Sequence, residues 1–558
     1  MEFLWVVVAM MAFLIGKGFY DKKKARERLL NKLRHDWGKY PEQEYSEAKF
    51  ESLQYYYKNK VLKKQGNGFH LDEITWNDLN LNDLFFMVNN TGSAMGEEML
   101  WSILHELQVE ETSLQERERL ISYFQSNSEN RFRLQTGFAL IGKNKSISVY
   151  EYMDRMEQVR RESNVMHYAG LAGIVVSTLL LAFGIGKAGL LLLGCIIFNL
   201  LTYYKRKGEI ELYYSVVSYL IRMLEYAEKI SKEEIPELQA YLDIMKKNTN
   251  SLKAFRKGAP AVTPQNPTGD MFAFVLDYIR ILFHTDLIKF NKMMKQYFAK
   301  KELTVEVFET IGFLDAMCAV ASFRTMLREY CLPEFTENKQ YTAVELYHPF
   351  LTEPVPATMQ TTKSVLITGS NASGKSTFIK AAAMNAILAQ TIHTVCAKQY
   401  QASFFKVMTS MALTDNLFGN ESYYIVEIKS LKRILDETNG EVPVLCFVDE
   451  VLRGTNTVER IAASSRILHS IANSNALMFA ATHDIELTYM LKECFENYHF
   501  EEQILENNIL FDYQLKSGRA NSQNAIALLG MLGYPEEIIN KARKTAAHFL
   551  EKGEWETI

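Results

Sequence analysis

The sequence predicts an α/β P-loop domain at the C-terminal end of the chain, preceded by an all-α region that carries transmembrane helices. Three observations lead to this fold class. A glycine-rich segment follows the short apolar run Ser364–Thr368, and two later apolar runs end in polar residues. Two stretches, 169–186 and 188–204, contain no charged residue. At 558 residues the chain is long enough for more than one domain.

The glycine-rich segment has the order of strand, loop and helix that is typical of a P-loop. In such a loop, backbone N–H groups and the N-terminus of the following helix (predicted here over residues 377–389) face a nucleotide phosphate. We expect Lys375 to reach the β- and γ-phosphates and the Ser376 hydroxyl to bind Mg²⁺. A chance glycine turn is disfavoured by the full eight-residue pattern. The predicted residues that bind ATP or GTP are Gly369, Ser370, Asn371, Ala372, Ser373, Gly374, Lys375, Ser376 and Thr377.

Two later apolar runs predict buried strands whose ends carry chemistry. The run 444–448 ends in Asp449-Glu450. An aspartate at a strand end can hold Mg²⁺, and the adjacent glutamate can act as general base on the attacking water. The run 476–481 is followed by His483, which can hydrogen-bond the γ-phosphate from that position. A structural or surface histidine is the alternative, but the place after the third strand of this core favours the phosphate role.

These motifs resemble the ATPase domain of the MutS mismatch-repair proteins, which belongs to the ABC-type ATPases. The resemblance rests on the P-loop, on Asp449-Glu450 followed by Arg453-Gly454-Thr455, and on the segment 481–487 around His483. Three more segments are similar to elements of that family, namely residues 346–350, residues 421–427, and residues 522–527 together with 533–535. The match covers residues 340–548.

The resemblance implies an ATPase that uses ATP and Mg²⁺. It also implies that Ser422 reaches the γ-phosphate bound by a second subunit, so that the active form is a homodimer with two composite sites. An ordinary loop serine is the alternative for Ser422. On this interpretation the catalytic residues are Glu450, His483 and Ser422, and the metal ligands are Ser376 and Asp449.

The chain also departs from the family pattern. Members that find mismatches carry an N-terminal domain with a Phe-x-Glu wedge, and too few soluble residues precede the ATPase here to form it. Arg131-Phe132-Arg133, the nearest basic and aromatic segment, is not that wedge. Glu353-Pro354-Val355 stands where the family often places an aromatic residue against adenine. No nuclease-like domain is expected after the ATPase.

Composition gives no general electrostatic reason to expect nucleic-acid binding, since the formal net charge is -4. For one local basic stretch, both DNA contact and a solvated helix face stay open; it comprises Lys289, Lys292, Lys295, Lys300 and Lys301. The six cysteines show no metal-ligand spacing, which indicates a reducing compartment.

The two charge-free stretches are each about long enough to cross a bilayer as a helix. Basic residues at both outer ends predict a hairpin whose ends are cytoplasmic and whose turn, at Lys187, is outside. A buried hairpin in a soluble core is the alternative. Its helices could approach closely at Gly170, Gly173, Gly184 and Gly186. A third apolar run, 3–15, predicts a signal anchor rather than a signal peptide, because its basic residues follow it.

The sequence thus predicts five parts: a transmembrane anchor (1–20), a helical core or lever region (21–167), a transmembrane hairpin (168–204), a second helical region (205–339) with a long amphipathic helix over 211–252, and the ATPase domain (340–558). The expected protein is a multi-pass membrane protein whose MutS-like ATPase domain is cytoplasmic and which binds DNA in mismatch repair. The alternative is a membrane-bound ABC-type ATPase that remodels a protein or membrane complex without DNA. An unidentified protein partner is compatible with both.

Overall fold

The computed structural model describes residues 2–557 except 43–44, 64–67, 145–146, 159–162, 258–277, 279, 371–372, 412–422, 453–454, 506–507, 521–525, 527–528 and 530–532. For residues 2–15 and a few other helix and strand positions it describes the backbone alone. The chain forms two compact units. The helical unit comprises Met1–Gln65, Phe86–Ile103 and Arg119–Met326, and the sheet unit comprises Gly66–Phe85, Leu104–Glu118 and Leu327–Ile558.

The first part of the chain is helical, as predicted. Its helices are α1 (Glu2–Asp36), α2 (Glu47–Tyr56), α3 (Glu73–Asp78), α4 (Leu81–Val88), α5 (Ala94–His105), α6 (Glu111–Ser126), α7 (Ser128–Ile141), α8 (Val149–Arg155), α9 (Val165–Ala182), α10 (Ala188–Ile230), α11 (Gln239–Ser251), α12 (Lys253–Arg256), α13 (Thr285–Ala299) and α14 (Lys301–Met326). The long helix expected over 211–252 is interrupted between Ile230 and Gln239, because Pro236 cannot donate a backbone hydrogen bond within a continuous helix.

A buried carboxylate fixes the start of α5. Asp315, on α14, accepts hydrogen bonds from the backbone N–H groups of Gly92 and Ser93 at 3.0 and 2.8 Å and from the Ser93 hydroxyl at 2.5 Å. These donors precede the first turn of α5, whose N–H groups have no partner within the helix. Burial raises the pKa of Asp315 to about 6 although these bonds lower it. The polar break between α4 and α5 is therefore tied into the core of the helical unit.

Helices α9 and α10 form a hairpin that leaves most of its apolar surface exposed. Among the described residues, two helical stretches are long and apolar enough to cross a membrane, Val165–Ala182 and Ala188–Glu211, and the apolar window within each is only 17% buried. A Cβ on Gly170 would lie 2.1 Å from the Asn199 side chain, so this glycine permits the close approach of the two helices. Gly184, by contrast, lies in the turn with φ +85° and nothing near its Cβ position.

The predicted N-terminal anchor falls within α1, which is continuous over Glu2–Asp36. The side chains of residues 1–15 lie outside the described part of the chain. The anchor therefore stays a prediction.

The sheet unit is built around a six-stranded sheet. Its strands are β6 (Ser364–Thr368), β8 (Lys406–Ser410), β9 (Val444–Asp449), β10 (Ala476–Ala481), β11 (Phe495–His499) and β14 (Lys516–Ser517), in the order β14-β11-β6-β10-β9-β8. All neighbours are parallel except β14, which is antiparallel to β11. The three strands predicted from apolar runs, β6, β9 and β10, are adjacent, and every residue of β6 and β10 is buried.

Smaller sheets and further helices complete the described part of this unit. A four-stranded sheet has the order β3-β7-β4-β5, and the remaining strands pair as β1-β2 and β12-β13. These strands are β1 (Phe69–His70), β2 (Glu106–Leu107), β3 (Glu334–Phe335), β4 (Tyr341–Leu346), β5 (Ala357–Thr361), β7 (Gln399–Ala402), β12 (Glu502–Leu505) and β13 (Asn508–Phe511). The C-terminal helices are α15 (Lys375–Ile392), α16 (Tyr423–Glu437), α17 (Thr457–Ala472), α18 (Ile485–Met490) and α19 (Glu536–Lys552).

Helix α3 covers the free edge of the six-stranded sheet at β8. The Thr75 hydroxyl accepts a hydrogen bond from Thr409 N, while Asp78 accepts from the Thr409 hydroxyl at 2.7 Å and from Met411 N at 2.9 Å. An exposed edge strand would present these groups to other chains. Two segments that the sequence places in the helical region, 66–85 and 104–118, therefore belong to the compact unit that contains the P-loop.

Candidate nucleotide site

The P-loop connects β6 to α15, and two of its glycines adopt conformations that other residues rarely adopt. Gly369 has φ +149° and Gly374 has φ +112°. A Cβ on Gly369 would lie 2.8 Å from Phe500 O, and one on Gly374 would lie 3.3 Å from the Tyr513 ring. Both the backbone conformation and the lack of space thus require glycine. The result is a tight loop at the carboxyl end of the sheet, where ligands bind in α/β folds.

Lys375 begins α15, and its ammonium lies across the loop. Its Nζ donates hydrogen bonds to Gly369 O and Ser370 O, both at 2.8 Å. Ser373 Oγ is buried, and within the described part of the chain it has no hydrogen-bond partner. Buried polar groups normally have partners, so this hydroxyl is a candidate donor to a bound phosphate. Of the nine predicted P-loop residues, Asn371 and Ala372 lie outside the described residues.

The ends of β9 and β10 bring the predicted acidic residues and histidine together. Glu450 Oε1 lies 2.9 Å from His483 Nε2. Asp449 Oδ1 is buried and has no hydrogen-bond partner among the described residues. A cation held by Asp449 and Ser376 would satisfy that oxygen, since Mg²⁺ is usually bound by one or two protein ligands together with substrate phosphates. The side chains present thus fit the implied metal.

The loop that carries His483 is held by an arginine–carboxylate ion pair. Asp484 accepts two hydrogen bonds from the Arg460 guanidinium of α17, at 3.0 and 2.6 Å. The Thr482 hydroxyl accepts a further bond from Asp484 N at 3.0 Å. A two-bonded arginine–carboxylate pair fixes geometry as well as charge. Arg460 and Asp484 therefore orient the histidine toward Glu450.

A cavity of about 500 Å³ opens beside the P-loop and is large enough for a nucleotide. Its lining combines P-loop residues and Glu450 with side chains from three other segments, including His348, Val355, Phe500 and Tyr513. Burial, and then the nearby positive charge of Lys380, lower the pKa of His348 to about 4. The imidazole is therefore neutral at physiological pH and can donate or accept a hydrogen bond without adding charge.

Sequence reasoning did not assign Phe500 and Tyr513 to this site. Phe500 follows β11, a strand whose apolar signal is weak, and its N–H donates to Thr368 O at 3.0 Å. Tyr513 has φ +52°, which places its ring beside Gly374. A single aromatic residue in a polar stretch gives no signal of its own, so only the fold identifies these two.

Several predicted elements lie outside the described residues. They are Ser422, the pair Arg453-Gly454, and most of the segment 522–527. The predicted contact of Ser422 with the nucleotide of a second subunit therefore stays a prediction.

Comparison with known proteins gives a consistent match for the sheet unit. Residues 365–550 match the family model of MutS domain V. The C-terminal region is thus similar to the ATPase domain of MutS proteins. Domain V carries the ATPase activity of MutS proteins, so this chain contains an ATPase domain.

Individual relatives match slightly less than half of the chain. The DNA mismatch repair protein MutS of Natronomonas pharaonis is 30% identical over 267 residues, 46% of this chain and 30% of the relative. The Thermus aquaticus protein of that name is 30% identical over 43% of this chain and 29% of its own length. MutS protein homolog 4 of Homo sapiens is 28% identical over 44% and 28%, respectively. The MutS-type match thus spans less than a third of these relatives.

Proposed function

We propose that this chain is an ATP-binding and ATP-hydrolysing MutS-like protein that binds DNA in a role related to mismatch repair and is tethered to a membrane. The observation that supports nucleotide hydrolysis is the cavity lined by both the P-loop and Glu450. His483 contacts the Glu450 carboxyl group at 2.9 Å, so a phosphate-binding loop and a carboxyl base border one space and an imidazole lies beside that base.

In the proposed reaction, Lys375 exchanges its two backbone carbonyl partners for phosphate oxygens. Ser376 and Asp449 would hold Mg²⁺, which neutralises charge on the phosphates when bound. Glu450 accepts the proton of the attacking water, and His483 turns from Glu450 to the γ-phosphate. In the structure, the proposed base Glu450 and the proposed phosphate sensor His483 contact each other. In this proposal, nucleotide binding breaks that contact.

A homodimer completes this proposal, because Ser422 would close the site from a second copy of the chain. MutS-type domains are the basis for that expectation. Each subunit would then contribute to both sites.

The role in DNA binding is tested with the Glu450→Gln variant, which should bind ATP and stay in the closed dimer without turnover. Its binding to matched, mismatched and branched duplex DNA is measured in nanodiscs across a salt series. Saturable binding that requires ATP and weakens steeply with salt supports DNA handling, because phosphate contacts release counterions. The Lys375→Ala variant, which should bind ATP poorly, is the matched control.

Absence of DNA binding at low salt, with the ATP-closed dimer intact, would overturn the DNA part. The second candidate function, a membrane-bound ATPase that remodels a protein or membrane complex, would then account for the chain. The hairpin favours this candidate, since apolar side chains stay exposed along both of its helices, for example Phe183 at 83%, Leu190 at 77% and Leu201 at 67%. A continuous exposed apolar surface usually marks a site of interaction with a protein or a membrane.

The proposed occupant of the hairpin surface is a lipid bilayer, with the ATPase domain in the cytoplasm. The base of the hairpin is polar: His167 Nδ1 lies 2.8 Å from His284 Nδ1, and the Tyr203 hydroxyl donates to Asp286 at 2.9 Å. Helix α13 begins at this base and exposes Lys289, Lys292 and Lys295. Lysines near a bilayer surface are attracted to anionic headgroups, which explains this basic stretch without DNA.

Topology is tested by placing a single cysteine at Lys187 in a chain whose six native cysteines are replaced. The proposal requires labelling by an impermeant reagent from outside the cell alone. A cysteine at the exposed Lys246, on α11, is the control and should be labelled from the cytoplasmic side. Labelling of position 187 from the cytoplasmic side alone would contradict the membrane-spanning hairpin.

A further inference from the structure

A buried carboxylate lies beneath the turn that carries Glu450. Glu427, on α16, is only 2% exposed, and its Oε1 accepts a hydrogen bond from the backbone N–H of Leu452. A carboxylate is rarely buried to this extent unless hydrogen bonds or charges compensate for the loss of water. Glu427 Oε1 thus accepts a hydrogen bond from the chain segment 450–452, which begins at Glu450.

That segment, 450–452, is an unusual turn. Glu450 has φ +56° and Leu452 has φ +59°, so two residues with side chains adopt left-handed conformations within three positions. Such conformations are strained for residues other than glycine and persist only when the surroundings impose them. The turn therefore needs external contacts to keep its shape.

Three contacts impose that shape. Glu450 N donates to Ala481 O at 3.0 Å, the Ser464 hydroxyl of α17 donates to Val451 O at 3.4 Å, and Leu452 N donates to Glu427. Of these, the contact with Glu427 is made by a buried side-chain carboxyl group from a different helix. Without it, the left-handed residue Leu452 would have no fixed partner for its N–H.

We infer that Glu427 is a positioning residue for ATP hydrolysis, which holds the 450–452 turn so that the Glu450 carboxylate faces the P-loop cavity and His483. The inference rests on the proposed role of Glu450 as general base. Glu427 contacts neither nucleotide nor water in this scheme; it acts through the backbone of the turn. Loss of the contact should therefore lower turnover without weakening nucleotide binding, which depends on the P-loop.

The test replaces Glu427 with Met, which fills a similar volume without an acceptor, and with Gln, whose carbonyl oxygen can still accept from Leu452 N. Because small displacements of a reacting group can cost about 100-fold in rate, we expect Glu427→Met to lower kcat by about 10- to 100-fold. The dissociation constant for ATP should change by less than about twofold, and Glu427→Gln should keep kcat within about threefold of the parent, because the hydrogen bond survives.

A double-mutant cycle separates positioning from a general structural role. If Glu427 acts through Glu450, adding Glu427→Met to Glu450→Gln should cause no further loss of the residual hydrolysis. Losses that multiply, or a Met variant with parental turnover, would overturn the inference. If the Met variant does not fold, the Gln variant decides the question. A folded Glu427→Gln protein that has lost turnover would also overturn the inference. Parental hydrolysis by Glu450→Gln alone would instead refute the role of the base, which keeps the two failures distinct.

Discussion

At the scale of single residues, Tyr513 is the most exposed of the Phe and Tyr rings that line the nucleotide cavity. Tyr513 is 46% exposed and lies beside Gly374. By resemblance to the MutS family, an aromatic residue is often expected in the segment Glu353-Pro354-Val355, which has none. Stacking on an aromatic side chain contributes about 1–3 kcal/mol per base. If Tyr513 stacks on the base, its loss removes a binding free energy in this range. We therefore expect Tyr513→Ala to raise the dissociation constant for ATP by about tenfold. Equilibrium titration with a fluorescent ATP analogue measures the change.

The control for this prediction is Tyr534→Ala, which removes a similarly exposed tyrosine outside the cavity lining. That variant should bind ATP like the parent. Equal affinities for the Tyr513 variant and the parent would exclude the ring from base binding.

A second residue-scale prediction concerns pH. Burial raises the pKa of Glu98 to about 8, although Lys49 and hydrogen bonds from Ser148 and Val149 lower it. A carboxyl whose pKa is higher in the folded state stabilises the fold at low pH, and this contribution is lost as the pH rises from about 4.5 to about 8. Urea unfolding should show this loss in the parent. In Glu98→Gln, which cannot ionise, we expect a flatter dependence and a free energy of unfolding at least about 1 kcal/mol above the parent near pH 8. An unchanged pH profile would show that Glu98 keeps an ordinary pKa.

The site residues also show which side chains a sequence can identify. Lys375, Asp449, Glu450 and His483 follow apolar strand runs at fixed places, and the structure brings Glu450 and His483 to 2.9 Å of one another. Glu427 ends the segment 421–427, but its contact is with a turn distant in sequence, so the local pattern gives it no role. Arg460 likewise contacts a distant turn, and no local pattern marks it. Tertiary hydrogen bonds of this kind become visible only when the fold is known.

At the scale of elements, the edge of the central sheet depends on α3. Asp78 accepts from both the Thr409 hydroxyl and Met411 N, so Asp78→Ala leaves two donors without their partner. We expect a loss of about 2–3 kcal/mol in the free energy of unfolding, because buried donors without partners are costly. Asp83→Ala, at an exposed position on α4, should change the stability by less than about 0.5 kcal/mol. Chemical denaturation of both variants measures the difference, and equal stabilities would contradict the role of α3.

The apolar strand runs and the P-loop helix could be predicted because each has a strong local period. The two-residue strands β1 and β2 could not, since they pair in the structure across a separation of more than thirty residues and contain only four residues between them. The helix ends after Ile230 for a local reason, Pro236. The amphipathic pattern continues across this proline, which is why the sequence predicted one helix where the structure has two.

At the scale of the whole molecule, the composite site predicts complementation between two inactive variants. Lys375→Ala should be inactive through its own P-loop, and Ser422→Ala should be inactive through the opposite site. In a homodimer with two-fold symmetry, an equal mixture with free subunit exchange should recover about a quarter of the parental hydrolysis, because each mixed dimer has one intact site. Steady-state hydrolysis of the mixture measures this. No recovery above the sum of the separate variants would place Ser422 in the same subunit as the nucleotide it contacts.

The division of the chain into units was the least accessible property of the sequence. Segments 66–85 and 104–118 lie within a helical region, and their composition gives no sign that they belong with the P-loop sheet. Their assignment follows from side-chain contacts such as those of Asp78. A sequence shows the boundaries of regular elements better than it shows which distant elements share a core.

Helix α10 runs without interruption from the apolar hairpin to Ile230, which at 43 residues makes it about 65 Å long. The described helix contains no proline, and each turn is bonded to the next, so it is torsionally stiff. A rotation of its C-terminal end, near Tyr226, is therefore transmitted to Leu190 with little loss. The apolar hairpin and the rest of the helical unit are therefore mechanically coupled through α10, so that a rotation at one end of this helix is transmitted to the other.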